Sequence, residues 1–400
     1  MSIPTIPKIA LPKAPDPNVD PAGYLRSIGA VRERCGIVLE KAKKNDLNHF
    51  EVDMGRFKDT TKFVVSVIKR DFAPDYNAIP PHGRWQHFNE GGRDRIGELL
   101  GSWPSQVDPS ERCRRILDLF LISVLLDAGA GTSWKYKSVE SGRTYRRSEG
   151  LAIASLEMFK AGTFSSDPEQ PHQVDADGLS RLTVEIMSSG LQVTEQNPIA
   201  GLAGRTGLLV KLAKALRNPS LFGADARPGN MLDAATPLWE TIVPFHKLSQ
   251  WLCYSLMQPM TKLMNIHFAG AKLLTGLPEY RNGGLFIDTG VLTLRRDETK
   301  RGLEAFHRNA EREGKPSLEV VPMFTPDDDV IVEWRAVTVG FLDLLLEEVN
   351  TSLGLFGKDK LSLPQMLEAG SWKGGREMAE ISRPNTQCPP IAILSDGTVF

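Results

Sequence analysis

Apolar positions recur at intervals of three and four over residues 111–127, 148–160, 174–190, 206–217, 237–257, 259–275, 299–313, 329–354 and 372–382. That spacing places them on one face of a helix and predicts a helix over each range. Alternating or continuous short apolar runs are scarce. Only LFIDTGVL at 285–292 and SLEVVPMF at 317–324 read as extended, and the terminal IAILSDGTVF offers a short strand to pair with an edge. The expected fold is therefore all-α, predominantly helical with a few short strands. Pro and Gly cluster between the periodic segments, as in NPSLFGADARPGN at 218–230, which reads as a long connecting loop. The Pro-rich residues 1–22 read as a flexible N-terminal arm and 23–400 as one large helical catalytic domain, with two lobes about a pocket as one arrangement of it.

Charge narrows the functional classes. The 48 basic and 49 acidic residues nearly cancel, so the electrostatic footprint of a phosphate-backbone binder is missing and no nucleic-acid partner is expected. The longest apolar run, LDLFLISVLLDAGAG at 117–131, is too short and too charged at its ends to span a bilayer. With no secretory leader at the start, a cytoplasmic protein without a membrane partner is expected. Cys35, Cys113, Cys253 and Cys388 show no ligand spacing, and no HExxH or His-x-His pattern occurs. Neither a metal nor an organic cofactor is expected.

The densest chemistry lies in EYRNGGLFIDTGVL at 279–292. Glu279, Arg281 and Asp288 sit in an apolar run with the backbone freedom of Gly283 and Gly284, which reads as the floor of a pocket. A tight turn held by a Glu–Arg pair is the plainer alternative. In PFHKLSQWLCYS at 244–255, Lys247 and Trp251 share one helix face while His246 and Gln250 share the next. A lysine so placed either snorkels to solvent or serves as a buried cation for an anionic group. DAGAGTSWKY at 127–136 supplies Asp127, a glycine-spaced turn, and Trp134 and Tyr136 for stacking on a planar group, or else a helix cap whose aromatics fill core. Glu333 and Arg335 fall within an apolar series where an ion pair needs a reason. WKGGRE at 372–377 brings Lys373 and Arg376 to a helix start, a candidate anion cradle with Arg281 and Arg335. IPPHGRWQHFNEGGRDR at 79–95 adds His82, Arg84, Trp85 and His87 in a loop placed to cover a pocket.

Taken together, HGRWQHF, DAGAGTSWKY, RSEGLAIAS, PFHKLSQWL, LPEYRNGGLFIDTGVL, WKGGRE and SDGTVF closely resemble the uracil-catabolism family of fungi and bacteria, long catalogued as a domain of unknown function. The resemblance covers nearly the whole chain. It implies a place in a route that opens a uracil nucleotide to a ribosylurea and ends in urea, beside the ring-opening enzyme as a functional partner. A weaker resemblance is to the queuosine-salvage nucleoside hydrolases, which look like helical DNA glycosylases. HKLSQ, PEYR and VEWR appear in the order of that family's Lys-Arg-Ala-Gln, Ala-Asp-Tyr-Arg and Glu-x-Glu-Ile-Arg segments. It implies a DNA-glycosylase-like helical fold, with Lys247 at the family lysine, Glu279 at its catalytic aspartate, and Glu333 and Arg335 at the late Glu-x-Arg pair. Glutamate for aspartate at 279, and the missing arginine after Lys247, are the departures. The expected reaction is hydrolysis of the N-glycosidic bond of ribosylurea or its 5′-phosphate, with Asp127 or Asp288 protonating the leaving nitrogen. An amidohydrolase-like attack on the ureido carbonyl and a non-catalytic partner of the ring-opening enzyme are the alternatives.

Overall fold

The computed structural model describes residues 13–127, 130, 133–232, 246–314 and 319–394. Helices dominate it. They are α1 (Ile28–Lys43), α2 (Phe57–Phe72), α3 (Arg84–Phe88), α4 (Pro109–Leu126), α5 (Arg147–Lys160), α6 (Leu202–Leu216), α7 (His246–Met264), α8 (Tyr280–Asp288), α9 (Arg296–Glu313), α10 (Asp329–Leu353) and α11 (Trp372–Ser382), with shorter turns between them. Among the described residues, strands form three two-stranded pairs. β1 (Phe50–Val52) runs antiparallel to β4 (Leu292–Leu294), with Phe50 opposite Leu294. β2 (Lys135–Lys137) and β3 (Thr144–Arg146) form a hairpin leading into α5, and β5 (Met323–Phe324) runs parallel to β6 (Ala392–Ile393).

Buried apolar side chains from Ala42 to Ile391 join in one cluster, so α4, α7, α8, α10 and α11 share a core. Several helix ends have a local cause. Pro109 opens α4 behind Asp108, whose carboxylate accepts from the Glu111 N–H, and Gly354 closes α10 in the left-handed region at φ 69°. Among the described residues no helix is long and apolar enough to cross a membrane, and the four cysteines are unpaired thiols.

Several elements differ from the sequence expectation. Residues 285–288 of the expected strand complete α8, and only 292–294 are extended. A nine-residue helix wedged among neighbours is apolar on several sides, so its 3.6-residue period does not show. Phe286 illustrates this, lying 5.9 Å from the Phe57 ring and 5.1 Å from that of Phe341. The expected helix over 174–190 is broken into Ala176–Ser180 and Val184–Gly190. Expected helices 237–257 and 259–275 instead form α7, which runs through Pro259 to Met264; residues 237–245 lie outside the described residues. The extended reading of 317–324 survives only at Met323–Phe324, with 317 and 318 outside the described residues. Of the N-terminal arm, residues 1–12 also lie outside them, and a first short helix begins at Pro21.

Gly283 and Gly284 do not loosen the backbone as the sequence implied; they are helical and admit close neighbours. A Cβ on Gly283 would stand 2.9 Å from the Trp334 ring, and one on Gly284 2.9 Å from Pro390. A tighter approach is on α11, where a Cβ on Gly375 would meet the Arg281 carbonyl oxygen at 2.0 Å. Gly375→Ala should therefore force α8 and α11 apart and destabilise the protein by roughly 1–3 kcal/mol or more, read as a lowered thermal midpoint. Gly36→Ala on α1, with nothing within 4 Å, should leave the midpoint unchanged or raise it slightly.

Candidate functional site

The α8–α11 contact forms one wall of a pocket of about 580 Å³, its open mouth included. Glu279, Tyr280 and Arg281 reach it from the start of α8, and Trp372 and Arg376 from α11. Glu279 is the N-cap of α8. Its carboxylate accepts from the Arg281 N–H at 2.8 Å and the Asn282 N–H at 2.5 Å, which fixes its orientation at the positive end of the helix. The loop before it is tied from three sides. Gln250 accepts from the Thr275 N–H at 2.5 Å, Tyr254 donates to the Thr275 carbonyl at 3.0 Å, and Arg335 donates to the Pro278 carbonyl at 3.3 Å.

Lys247 and Trp251 face this wall from α7, one helical turn apart. Burial pulls the Lys247 ammonium down to about 8, against the carboxylates of Glu279 and Asp127, which favour its charge; Arg335 adds to the lowering. Asp127 follows the last turn of α4 and is 4% exposed. Its Oδ2 meets Arg84 Nη1 at 3.0 Å, while Oδ1 is buried with no hydrogen-bond partner among the described residues. Burial raises its carboxyl above the usual range, opposed by Arg84 and then Lys247. The indole Nε1 of Trp251 is likewise buried without an acceptor.

The remaining wall is aromatic. His82, His87, Trp251 and Trp372 line it, with the His87 ring 5.7 Å from each tryptophan. Burial first, and then Arg84, His82 and Arg376, hold His87 well below its usual range, so the ring is neutral. Its Nδ1 accepts from Arg84 Nη1 at 3.1 Å, which puts the ring proton on Nε2. His82 Nδ1 donates to Glu368 at 2.5 Å, on the π-helical turn Leu367–Ser371 that leads into Trp372. Arg147, Ser148 and Glu149 complete the pocket from the start of α5, with Glu149 paired to Arg376 at 2.5 Å.

The structure thus brings together Asp127, Lys247, Trp251, Glu279, Arg281 and Arg376 from the sequence-derived set. Others stand elsewhere. Asp288, at the far end of α8, forms a two-point ion pair with Arg383 at 2.9 and 2.6 Å and does not line the pocket. Trp134 is fully buried and donates to the Leu191 carbonyl, and the Tyr136 hydroxyl binds Glu157, so both serve the core around the β2–β3 hairpin. Glu333 caps the Asn48 and His49 amides, and Lys373 binds Asp71 on the outer surface. Gln250 and Arg335 lie behind the pocket, acting on its loop. His246 opens α7, and its side chain lies outside the described residues. Of the candidate anion cradle, then, Arg281 and Arg376 converge, whereas Arg335 and Lys373 do not.

His82, Arg84 and His87, read from sequence as a covering loop, belong instead to the pocket's packed wall and its support. Arg147, Ser148, Glu149, Tyr280 and Trp372 were not singled out. The signal for the first three was RSEG at a helix start, a charged run directly after a hairpin. Among the described residues no group of three or more His, Cys, Asp or Glu is placed to hold a metal ion.

The family described as a protein of unknown function, DUF1688, matches residues 24–238 and 234–400. Uracil catabolism protein 4 of Lachancea kluyveri is 39% identical over 444 aligned positions, which cover 95% of this chain and 99% of that protein. Protein urg3 of Schizosaccharomyces pombe is 43% identical over 420, covering 96% and 100% respectively. With matches that span nearly its whole length, the chain belongs to the DUF1688 family.

Proposed function

We propose that this protein acts in uracil catabolism as a hydrolase of the N-glycosidic bond in ribosylurea or its 5′-phosphate, releasing urea. The name of the Lachancea kluyveri relative, uracil catabolism protein 4, supports the pathway. One observation carries the chemistry: two carboxylates in unlike surroundings share the pocket, Glu279 fixed by two backbone amides and Asp127 desolvated, with one oxygen lacking a hydrogen bond among the described residues. Paired acids in contrasting environments suit glycosidic cleavage, which needs one group to give a proton and another to take one.

In this reading the sugar C1′–N bond breaks while Asp127, its pKa raised by burial, gives its proton to the departing nitrogen. The sugar becomes an oxocarbenium-like cation beside the Glu279 carboxylate. Glu279 accepts a proton from water as the water oxygen bonds C1′. Lys247 keeps Glu279 oriented, and the Nε2 proton of His87 and the Nε1 proton of Trp251 are donors for the ureido oxygen. The aromatic walls exclude bulk water and stack on the planar ureido group.

Purified protein with synthetic ribosylurea and its 5′-phosphate should release urea from at least one, and no urea from either would overturn the reading. Glu279→Gln should lower turnover ~10²-fold or more while the protein still folds, since side-chain size and one of the two capping acceptors are kept while the charge is lost. Near-normal turnover in that variant would remove Glu279 from the reaction.

The lowered pKa of Lys247 sets a pH limit. Below about 8 the ammonium is present, and above it the cation beside Glu279 is lost. kcat/KM should therefore decline on the alkaline side through about 8, and Lys247→Met should show reduced activity without that decline. An unchanged alkaline limb in the variant would assign it to another group.

A further inference from the structure

Charges in the pocket pair off unevenly. Arg84 meets Asp127 at 3.0 Å, Arg376 meets Glu149 at 2.5 Å, and Lys247 faces the Glu279 and Asp127 carboxylates. Arg147 and Arg281 remain. Both line the pocket, Arg281 is 5% exposed, and among the described residues neither forms an ion pair; each donates to backbone carbonyls, and the Arg281 guanidinium also lies 5.1 Å over the Tyr280 ring. A buried and a half-buried guanidinium group without a carboxylate are costly unless an anion joins them.

Their placement is enforced. Arg147 and Arg281 donate to the same Gln387 carbonyl oxygen, at 3.3 and 3.0 Å, so the two donating nitrogens are no more than about 6 Å apart. Like charges at that range repel, and Arg281 indeed lowers the pKa of Arg147, after burial. The surrounding structure holds strained backbone at both ends of the arrangement. Arg147 and Gln387 both sit at positive φ, 52° and 53°, and of the non-glycine residues with that geometry these two bond each other. The segment bearing Gln387 is pinned in turn, with Glu319 accepting from Asn385 and Thr386 and Arg383 donating to the Cys388 carbonyl at 2.6 Å. Beside the pair, Ser148 and Glu149 bring the first turn of α5, whose N-cap Arg146 makes no side-chain capping bond.

We propose that Arg147 and Arg281 form a phosphate subsite of this pocket, and that the substrate is a sugar phosphate monoester whose dianion lies against them. The two guanidinium charges of the pair match one dianion, and planar guanidinium forks keep further N–H donors after serving the Gln387 carbonyl. The sugar part of this assignment rests on the glycosidic reading above, while the anion preference stands on the arginine pair itself. It also selects between the two substrates left open there, favouring the phosphorylated one.

Titration calorimetry of the full chain with ribose 5-phosphate and with ribose tests the subsite without turnover. Ribose 5-phosphate should bind at least ten-fold more tightly than ribose. Arg147→Gln and Arg281→Gln should each weaken ribose 5-phosphate ten-fold or more and leave ribose unaffected, while Lys373→Gln, on the outer surface, should change neither. Equal affinities, no binding of ribose 5-phosphate, or full affinity in both arginine variants would overturn the subsite. The wild-type comparison decides the matter if either variant fails to fold. Tight ribose 5-phosphate binding without urea release from ribosylurea phosphate would keep the subsite and remove the hydrolase reading. Urea release at equal efficiency with and without the phosphate would do the reverse.

Discussion

The close contact between α8 and α11 is the constraint on which the pocket depends. Gly375 lets the α11 backbone approach the Arg281 carbonyl, and Trp334 packs over Gly283 on another side of α8. That packing aims the N-terminus of a nine-residue helix at the cavity. Glu279 is consequently held by the helix it caps, and Arg281, two residues on, is carried to the same wall. Ser371, just before α11, donates to Asn282 at 2.7 Å, and Asn282 donates to the Leu277 carbonyl, so the loop and both helices form one unit. A carboxylate supplied by a packed helix terminus keeps its geometry without ligand, which is what electrostatic preorganisation needs.

Burial does the second part. Arg84, fully buried, donates to Ser123 at 2.7 Å, to His87 and to the Ser148 carbonyl while pairing with Asp127. One cation thereby fixes a histidine tautomer, joins α3 to α4 and α5, and pairs with one Asp127 oxygen while the other has no hydrogen-bond partner among the described residues. The same desolvation raises Asp127 and lowers Lys247, drawing an acid and a base toward neutrality in one cavity. Structural ion pairs of this chain, such as Asp118 with Arg227 at 2.8 Å, are closed by further backbone donors. Among the described residues, Oδ1 of Asp127 in the pocket has no such donor.

Much of this was legible in the sequence, in proportion to how local the signal is. Helical periodicity recovered α4, α5, α9, α10 and α11 to within a few residues at each end, because each presents one apolar stripe to the core. α2 escaped because Thr60, Thr61, Val64, Val65, Val67 and Ile68 are β-branched, and packing overrides their weak helix preference. Within the site, Lys247 with Trp251 and Glu279 with Arg281 were readable as charges embedded in apolar runs. Asp288 carried the same signal and is answered by Arg383, 95 positions away. No local pattern reveals a distant partner. Trp134, Glu333 and Lys373 were indistinguishable from pocket residues for the same reason, and Arg147 stayed hidden because its meaning depends on Gln387, 240 positions away.

The central claim is that water attacks the sugar carbon and that urea leaves intact. Running the reaction on ribosylurea or its 5′-phosphate in ¹⁸O-labelled water, with mass analysis of both products, tests it most directly. Rapid quenching is needed because the sugar anomeric oxygen itself exchanges with water. The account predicts label on the sugar C1 hydroxyl and unlabelled urea. Label in carbon dioxide accompanied by ammonia would place the attack on the ureido carbonyl and contradict it.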